Sequence, residues 1–402
     1  MFIDNITIII SIIVLLLTIA SVVANPFFRS IKTKSTKDTT IELPPLTVVV
    51  LSQNNVEALD KHLPLIFSQD YAPGFEVVVV GEKGDLDLEA VLAKYADNKN
   101  LYATYIPKRS LFMSKPKLSA SLGIKAAHND WIIMLNASCA PASDKWLQTI
   151  AESIDSNTNL VLGYSNYKDD VKPYRRFIRL REACYYLRAA AHGIAYRSTG
   201  TNIAFRRSEF ISGDGYRGNL QHVYGEYDFI INKFARPYST AITLLPDSFV
   251  HNDCPTKKTW TEYCIANSHV GRHLERKALM HLSYITDALF MYINYAVIIT
   301  TGVFAVLTGR WIALAVAALC LIATIALRIF FVKRKCNIFG EHLSAWSVPF
   351  YELSLLWFDI LTKLRYIRAD KHDFSTHKMA HPTNPVEGCA DANPKTELPN
   401  DT

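Results

Sequence analysis

Three stretches of this chain are so uniformly apolar that they constrain its architecture before any other feature is considered. Residues 6–24 carry no charge, and residues 288–308 and 311–332 follow late in the chain, separated only by Gly309 and Arg310. Each stretch has about the length of a helix that crosses the hydrocarbon core of a bilayer. We therefore expect an N-terminal transmembrane anchor and a C-terminal transmembrane hairpin.

The charges that flank these stretches predict which way the chain crosses the membrane. Asp4 precedes the first stretch, whereas basic residues follow both the first stretch and the hairpin. These residues are Arg29, Lys32, Lys34, Lys37, Lys333, Arg334 and Lys335. A cleaved secretory signal has its positive charge on the other side, so the anchor is predicted to be retained. By the positive-inside rule, the segment between anchor and hairpin lies in the cytoplasm, and the protein in the inner (cytoplasmic) membrane.

The chain beyond these flanks is less regular. Residues 344–367 combine aromatic side chains with internal acids, which favours a helix in the membrane interface and leaves a fourth crossing as the alternative.

Arg328 lies near the end of its apolar stretch, where we expect it to snorkel toward water. The composition of residues 370–402 predicts a disordered tail.

Strand and helix patterns alternate between the anchor and the hairpin. Strands are predicted at residues 46–51, 75–80, 101–106, 131–135 and 160–164, and helices at 58–67, 88–95, 117–127 and 145–155. Continuously apolar strands are typical of a parallel sheet covered on both faces by helices. The predicted fold class is therefore α/β, an open sheet whose ligands bind at the carboxyl ends of the strands.

These patterns divide the chain into six predicted segments. They are an anchor (1–28), a basic linker (29–45), a cytoplasmic α/β domain (46–280), a transmembrane hairpin (281–335), an interfacial or membrane helix (336–369) and a disordered tail (370–402). Within the domain, residues 174–190 have apolar residues at helical spacing, with arginines around them. They predict an amphipathic surface helix with salt-bridged arginines; a helix on anionic lipid and the edge of a diphosphate channel are the alternatives.

Several classes of protein are disfavoured by what the chain lacks. No glycine-rich dinucleotide motif follows the first strand, and no P-loop motif occurs. The excess of 43 Lys and Arg over 37 Asp and Glu is too small to indicate a nucleic-acid partner. The 7 cysteines include no C-x-x-C pair, which argues against a zinc ribbon or a disulfide framework and favours a reducing compartment. Transport is disfavoured because the spans show no buried paired charges.

Five segments of the predicted domain resemble, in the same order, the motifs of one enzyme family. They are VVVLSQNN (48–55), SQDYAPGFEVVVVGEKGD (68–85), KPKLSASLGIKAAHNDWIIMLNASCAPASDKWL (115–147), TGTNIAFRRSEF (199–210) and GEYDFIIN (225–232). In these segments the chain resembles the membrane-anchored family 2 glycosyltransferases. The resemblance implies a GT-A-like, nucleotide-sugar-binding open sheet. It also implies transfer of a sugar from a nucleotide-sugar donor to a lipid-linked or polysaccharide acceptor.

The resemblance implies four residues that would bind the donor. Glu82 is the nearest carboxylate to the family's early Asp, and Asn54 belongs to the polar turn after the first strand. Lys115 and Lys117 stand in the Lys-rich segment that would face the diphosphate. Each also has an ordinary structural explanation, because an acid in a loop and a lysine on a surface are usually solvated.

The resemblance also implies a metal site and a catalytic acid pair, both altered here. Asn136 and Ser138 replace the two acids of the Asp-x-Asp motif that binds Mg²⁺ or Mn²⁺. Without charge they should hold a divalent metal weakly, and they could simply form a hydrogen-bonded turn. Glu226 and Asp228 are the candidate catalytic residues, while Tyr227 stands where the family has its base. Either acid could instead cap a helix.

Two hypotheses about function follow. The first is a membrane-bound glycosyltransferase with a nucleotide-sugar donor. The second is a catalytically inactive relative that acts as a binding or scaffold subunit in envelope polysaccharide assembly, beside an active glycosyltransferase partner. Four altered motifs are the reason for the second. They are the early Asp, the Asp-x-Asp motif, the late acidic motif and the family's Gln-x-x-Arg stretch, which reads Ala266-Asn267-Ser268-His269 here.

Overall fold

The computed structural model describes residues 4–33, 42–52, 55–110, 112–168 and 171–374. The predicted donor contact of Asn54 lies outside these residues. So do part of the predicted linker and the predicted tail from residue 375 onward.

Ten strands in the described residues form two sheets. They are β1 Leu46–Leu51, β2 Phe75–Glu82, β3 Leu101–Ile106, β4 Trp131–Asn136, β5 Cys139–Pro141, β6 Leu160–Leu162, β7 Ser165–Tyr167, β8 Ile203–Arg206, β9 Thr240–Ile242 and β10 Val250–Asn252. The main sheet has the order β3-β2-β1-β4-β8-β6-β9, and β5, β10 and β7 form a small second sheet. The predicted open α/β sheet is confirmed, although it is mixed, because β8 runs antiparallel to β4 and β6.

The described ranges also contain twelve α-helices. They are α1 Asn5–Ala24, α2 Val56–Phe67, α3 Leu86–Ala93, α4 Lys115–Ala126, α5 Trp146–Ala151, α6 Pro173–His192, α7 Arg207–Ser212, α8 Glu226–Phe234, α9 Lys257–His273, α10 Lys277–Leu307, α11 Trp311–Phe339 and α12 Val348–Arg368. The predicted strands and helices before residue 160 are all present, with ends that differ by a few residues.

The central strand β1 shows why these strands are apolar throughout. All six of its residues are buried, and alternate side chains enter two different hydrophobic cores. Val49 belongs to the core on the α4 side and Val50 to the core on the α2 side. Helix α4 lies close against β1 because Gly123 has no side chain; a Cβ there would come within 2.5 Å of Val49 Cγ1. Burial on both faces thus explains the lack of alternation.

Three helices, α1, α10 and α11, are long and apolar enough to cross a membrane. They pack against one another, and hydrogen bonds between polar side chains join them inside the bundle. Asn294 accepts a hydrogen bond from Thr18 at 3.1 Å and donates one to Thr324 at 3.0 Å. These contacts pair groups that would otherwise be unsatisfied in an apolar environment.

The expectation that Arg328 snorkels toward water is wrong. Its side chain is 2% exposed and forms ion pairs with Glu352 at 3.0 Å and Asp287 at 3.5 Å. Asp287 also pairs with Arg181 at 3.2 Å, so α6 of the sheet domain is connected to α10. The expectation that the spans contain no buried paired charges is corrected by the same contacts, because Asp287 and Arg328 lie in two of them. Charges buried this deeply are stable only with partners.

Two further helices complete the connection between the domain and the bundle. Helix α6 is not an amphipathic surface helix, because most of its residues are buried and its arginines have internal partners: Arg176, for example, pairs with Glu341 at 3.0 Å. The sequence pattern missed this because arginines normally mark a solvated face. Helix α12 packs mainly against α9 and α11, and it leaves Phe350 and Trp357 exposed.

Candidate functional site

A pocket lies at the carboxyl ends of β1, β2 and β3, where ligands of open α/β sheets bind. It is an open cleft with a cavity volume of about 210 Å³. Its lining combines residues that follow the three strands with the first residue of α4. These residues are Ser52, Gly81, Glu82, Lys83, Gly84, Asp85, Ile106, Lys108 and Lys115. The lining is polar, which suits a charged or hydroxylated ligand better than an apolar one.

Glu82 and Lys115, both identified from the sequence, meet in this pocket. Glu82 is the last residue of β2 and Lys115 the first residue of α4, and their side chains form an ion pair with an Nζ–Oε2 distance of 2.5 Å. Both side chains remain partly exposed. Ser114 makes no side-chain cap at this end of α4, so the positive end of the helix dipole also faces this region.

Ser52 is a pocket residue that sequence reasoning missed. It directly follows β1 and is only 4% exposed, yet its hydroxyl has no hydrogen-bond partner among the described residues. Buried hydroxyls normally have a partner, so this one is available to a bound ligand. The signal that could have found it is its position, the first polar residue after a fully buried strand.

Asn136 and Ser138 form a turn beside the pocket and do not line it. The pairing of Leu51 with Asn136 places this turn next to the end of β1. The Asn136 side-chain oxygen accepts hydrogen bonds from the backbone N–H of Ser138 at 3.1 Å and from its hydroxyl at 2.8 Å. The local geometry is therefore that of a hydrogen-bonded turn, the alternative explanation for these two residues.

The neighbours of this turn do not fit a Mg²⁺ or Mn²⁺ site. Asp253, whose N–H donates to the Ser138 carbonyl, supplies a nearby carboxylate. However, this carboxylate already forms an ion pair with Lys168, with an Nζ–Oδ1 distance of 3.0 Å. The same Nζ also contacts His62 Nε2 at 3.2 Å. His62 in turn contacts the Ala137 carbonyl through Nδ1 at 2.9 Å. Hard divalent cations need several oxygen ligands with negative charge, whereas here an ammonium group already stands beside the turn.

Lys117, in contrast to Lys115, does not line the pocket. It is fully buried, and its Nζ donates to the carbonyl oxygens of Asn219 at 2.6 Å and His222 at 2.7 Å. It also lies over the ring of Phe229, 4.4 Å from the centroid. Burial lowers the pKa of Lys117 to about 7, an effect that the nearby Glu226 partly opposes. Its contacts indicate a role in holding the loop before α8.

The two candidate catalytic acids occupy the first turn of α8 but differ in their partners. Both carboxylate oxygens of Asp228 face the guanidinium of Arg197, with an Nε–Oδ1 distance of 3.2 Å on one side. Arg197 also contacts Asn267 of α9, so this pair connects three parts of the chain. Asp228 is thus held by a structural ion pair. Arg197 is a second residue that sequence reasoning missed, because no local pattern connects it with Asp228.

Glu226 forms no ion pair with any of the described residues, and it has the electrostatic character of a proton acceptor. Burial raises its pKa, and the adjacent Asp228 adds to this effect while backbone amides and Lys117 oppose it. The Tyr227 hydroxyl is buried with no hydrogen-bond partner among the described residues. Burial, followed by the charges of Glu226 and Cys139, raises the pKa of Tyr227 well above its ordinary value. An acid with a raised pKa at a helix start is the better candidate base of the two.

Gly225 fixes the position of these acids. It has a φ of 92°, in the left-handed region, and a Cβ at this position would come within 2.9 Å of side chains on both Phe229 and Val270. Only glycine fits this turn without strain. Helix α8 therefore begins at a defined place, close against α9.

Comparison with known proteins adds little to this geometry. No protein-family model and no curated protein matches the chain. Among solved structures, it is similar to the mannosyltransferase PcManGT from Pyrobaculum calidifontis, solved with GDP-Man and Mn²⁺. The identity is 14% and the TM-score 0.47, over 79% of this chain and 97% of that one.

The chain is also similar to residues 1–349 of S. aureus TarS. For the complex with UDP-GlcNAc the identity is 13% and the TM-score 0.40, over 75% of this chain and 93% of that one. For the complex with UDP the values are 14% and 0.40, over 78% and 91%. Likeness at this level assigns no role to any residue of this chain.

Proposed function

We propose that this protein is a membrane-bound, family 2-like glycosyltransferase that transfers a sugar from a nucleotide-sugar donor to a lipid-linked or polysaccharide acceptor. The observation that carries the proposal is the polar pocket at the carboxyl ends of β1, β2 and β3. It combines the Glu82–Lys115 pair with the hydroxyl of Ser52, which has no hydrogen-bond partner in the part of the chain that the structure describes. The resemblance of the motif order to that family supports the same function.

The pocket residues have the chemistry that a nucleoside diphosphate requires. Glu82 accepts hydrogen bonds from the hydroxyls of the ribose or from the base, and the Ser52 hydroxyl provides a second polar contact. Lys115 faces the diphosphate together with the N-terminal end of α4, whose dipole favours anions. Lys108, which also lines the pocket, adds a further positive charge.

Donor binding in this proposal does not depend on a divalent metal. Asn136 and Ser138 bond to each other, and the nearest carboxylate, Asp253, is paired with Lys168. The positive charge that neutralises the diphosphate comes instead from Lys115 and Lys108. Lys168, beside the turn, adds to it. These ammonium groups would stabilise the leaving nucleoside diphosphate electrostatically.

Glu226 is the proposed general base. Its carboxylate takes the proton of the acceptor hydroxyl while that oxygen forms a bond to the anomeric carbon of the donor. The bond between this carbon and the diphosphate oxygen breaks, and the nucleoside diphosphate leaves with the electron pair. Asp228 holds Arg197 and thereby positions the start of α8 without contacting the reacting atoms.

The three apolar helices support a membrane location for this chemistry. We propose that α1, α10 and α11 cross the inner (cytoplasmic) membrane with the sheet domain on the cytoplasmic side, as the flanking basic residues indicate. Helix α12, with its exposed Phe350 and Trp357, would then lie in the interface. A lipid-linked acceptor could reach the domain along this surface.

Calorimetric titration of the full-length protein in detergent tests the proposal. UDP, GDP and their sugar conjugates are titrated in buffer with a chelator and again with Mn²⁺, and released nucleoside diphosphate is then followed with candidate acceptors. We expect one nucleotide class to bind with the chelator present and Mn²⁺ to change its affinity by less than about tenfold. Absence of binding by every nucleotide in both buffers would contradict the function. Binding only with Mn²⁺ would contradict the metal-independent donor site.

The second candidate function is a non-catalytic binding or scaffold subunit beside an active glycosyltransferase. The specific observation in its favour is that neither Asn136 nor Ser138 carries a charge, while Asp228 is held by Arg197. It predicts nucleotide binding without turnover against any acceptor. It also predicts that the double variant Asn136→Asp/Ser138→Asp gains Mn²⁺ binding that the natural protein lacks. Turnover by the purified protein alone would reject it.

A further inference from the structure

Three histidines converge at a place separate from the strand-end pocket. His222 lies in the loop before α8, and His269 and His273 lie one turn apart on α9. One ring nitrogen from each lies within 4.8 Å of the others. His222 and His269 are buried, and His273 is exposed, so the cluster reaches the surface on one side only.

The distance between the two buried rings is that of ligands on one metal ion. His222 Nδ1 and His269 Nε2 are 3.3 Å apart. Zinc–nitrogen bonds of about 2.0–2.1 Å with a tetrahedral angle between them place two nitrogens about 3.3 Å apart. A direct hydrogen bond also spans this distance, so the surrounding contacts must distinguish the two explanations.

The contacts behind the two α9 rings are those of metal-bound histidines. His273 Nδ1 lies 2.9 Å from the carbonyl oxygen of His269, so it carries the proton and donates it. His269 Nδ1 lies 3.2 Å from the hydroxyl of Tyr366 on α12. Both rings are thus oriented through Nδ1, which leaves Nε2 to face the cluster. Metal-binding histidines are held through their second nitrogen in this way.

We propose that His222, His269 and His273 bind one transition-metal ion, with Zn²⁺ as the best fit and water as the fourth ligand. Three neutral imidazoles suit Zn²⁺ and, by ligand type, Co²⁺, Ni²⁺ and Cu²⁺, whereas Mg²⁺ and Mn²⁺ prefer oxygen ligands. The exposed side at His273 provides the open position for water.

The surroundings of the cluster indicate a moderate rather than a very high affinity. Lys117 donates to the His222 carbonyl at 2.7 Å, and Arg272 lies beside the cluster over the ring of Tyr366. Positive charge beside the three ligands opposes the binding of a divalent cation. Stacking of His269 on Phe374 fixes that ring and excludes water from its outer face. Packing of this kind explains why the rings are buried but not why three ring nitrogens converge.

A metal ion at this site would connect three parts of the chain. His222 belongs to the loop before α8, the other two ligands belong to α9, and Tyr366 brings in α12. The N–H of Val223, next to His222, already donates to the carbonyl of Phe374 at 3.0 Å. The site would therefore stabilise the contact between the sheet domain and the C-terminal helix.

Titration with Co²⁺ followed by competition with Zn²⁺ tests the proposal. The full-length protein, purified without a histidine tag and treated with a chelator, is titrated while its visible absorption is recorded. We expect one Co²⁺ per chain with the strong visible bands of tetrahedral coordination, lost when Zn²⁺ is added, and a rise in the thermal unfolding midpoint with Zn²⁺. Absence of these bands, or binding with no preference for one ion per chain, would overturn the site.

Two variants identify the ligands. His273→Ala removes the exposed ligand, with little risk to folding, and should weaken Co²⁺ binding at least tenfold and abolish the zinc-dependent rise in unfolding midpoint. His281→Ala is the matched control, because His281 is also exposed on a helix and its Nδ1 makes the same contact to a carbonyl one turn earlier, that of Lys277 at 2.9 Å. We expect it to bind Co²⁺ as the natural protein does. Equal binding by His273→Ala and the natural protein would refute the assignment.

Discussion

Charged side chains are arranged in opposite ways in the helix bundle and at the strand ends. In the bundle, Arg328 is 2% exposed and forms ion pairs with Glu352 and Asp287, which are nearly as buried. At the strand ends, the ion pair between Glu82 and Lys115 remains open to solvent. The two regions thus contain similar chemical groups in different dielectric surroundings.

This difference determines what each region can do. A buried ion pair is costly to break, because removing one partner leaves the other charge without water or a counter-ion. An exposed pair contributes little to folding, because water solvates each partner when the other is lost. The bundle charges therefore serve the connection between the sheet domain and the apolar helices. At the strand ends, Glu82 and Lys115 can give up their contact with each other and bind a ligand instead.

The largest effect is expected from Arg328→Met. The substitution leaves Glu352 without its cationic partner, whereas Asp287 keeps its contacts with Arg181 at 3.2 Å and with the Tyr185 hydroxyl at 3.1 Å. Breaking a buried pair costs about 3–5 kcal/mol, a large part of a typical stability. We expect a steep loss of folded protein and a strongly lowered unfolding midpoint in detergent.

The control for this experiment uses an arginine at the open end of the same bundle. Arg310 pairs with Asp4 at 2.7 Å, and both are partly exposed, so Arg310→Met should cost less than about 1 kcal/mol. The double variant Arg328→Met/Glu352→Leu should recover at least half of the lost stability, because no unpaired Glu352 charge remains. Similar stabilities for Arg328→Met and Arg310→Met would contradict the claim that buried charges matter more for folding than exposed ones.

The second largest effect is expected in turnover rather than in folding. Replacing Glu226 with glutamine removes the proposed general base, and such groups typically contribute about 10²- to 10⁴-fold in rate. Because burial raises the pKa of Glu226, transfer by the natural protein should fall on acidification at a higher pH than an ordinary glutamate would give, as the base becomes protonated.

Initial rates of nucleoside diphosphate release across a pH series measure both effects. Glu262→Gln serves as the control, since Glu262 is an exposed acid on α9 whose only ion pair, among the described residues, is a loose surface contact with Lys258 at 4.0 Å. We expect the control to keep the natural rate and pH profile. An unchanged rate in Glu226→Gln would remove Glu226 from the mechanism.

The bundle charges also show where prediction from the sequence reached its limit. The apolar stretches and the strands were predictable because hydrophobic length and continuity are local properties, as in the fully buried β1. The partners of Arg328 were not, because Asp287 and Glu352 are distant along the chain. For the same reason, the arginines of α6 suggested a solvated face although long-range contacts bury them.

At the site, the family resemblance selected residues that the fold uses in different ways. Glu82 and Lys115 were both selected from that resemblance, and the structure brings them together in the pocket. Lys117 was selected from the same Lys-rich segment, yet its contacts are backbone carbonyls inside the domain. The Lys168–Asp253 pair gave no local signal, since its residues approach the Asn136–Ser138 turn only through the folded topology.

A smaller effect is expected from Lys115→Ala, in ligand affinity. The variant removes one charge-assisted contact to the diphosphate from a partly exposed position, so we expect nucleoside diphosphate to bind about tenfold more weakly. The unfolding midpoint should stay unchanged, in contrast to Arg328→Met. Lys125→Ala, an exposed lysine in the last turn of the same helix, is the control and should bind as the natural protein does. Titration calorimetry measures the nucleotide affinity of both variants. Equal affinities of Lys115→Ala and the natural protein would exclude Lys115 from the donor site.

The smallest effect concerns the contribution of the Glu82–Lys115 pair to folding itself. A double-mutant cycle with Glu82→Gln and Lys115→Met isolates the coupling between the two side chains from their other contacts. Because both are partly exposed, we expect a coupling below about 1 kcal/mol that decreases further when the salt concentration is raised. Thermal or denaturant unfolding in one detergent at two salt concentrations measures it. A salt-insensitive coupling above about 2 kcal/mol would show that this pair is held as rigidly as the charges of the bundle. A ligand would then have to break a structural ion pair to enter the pocket.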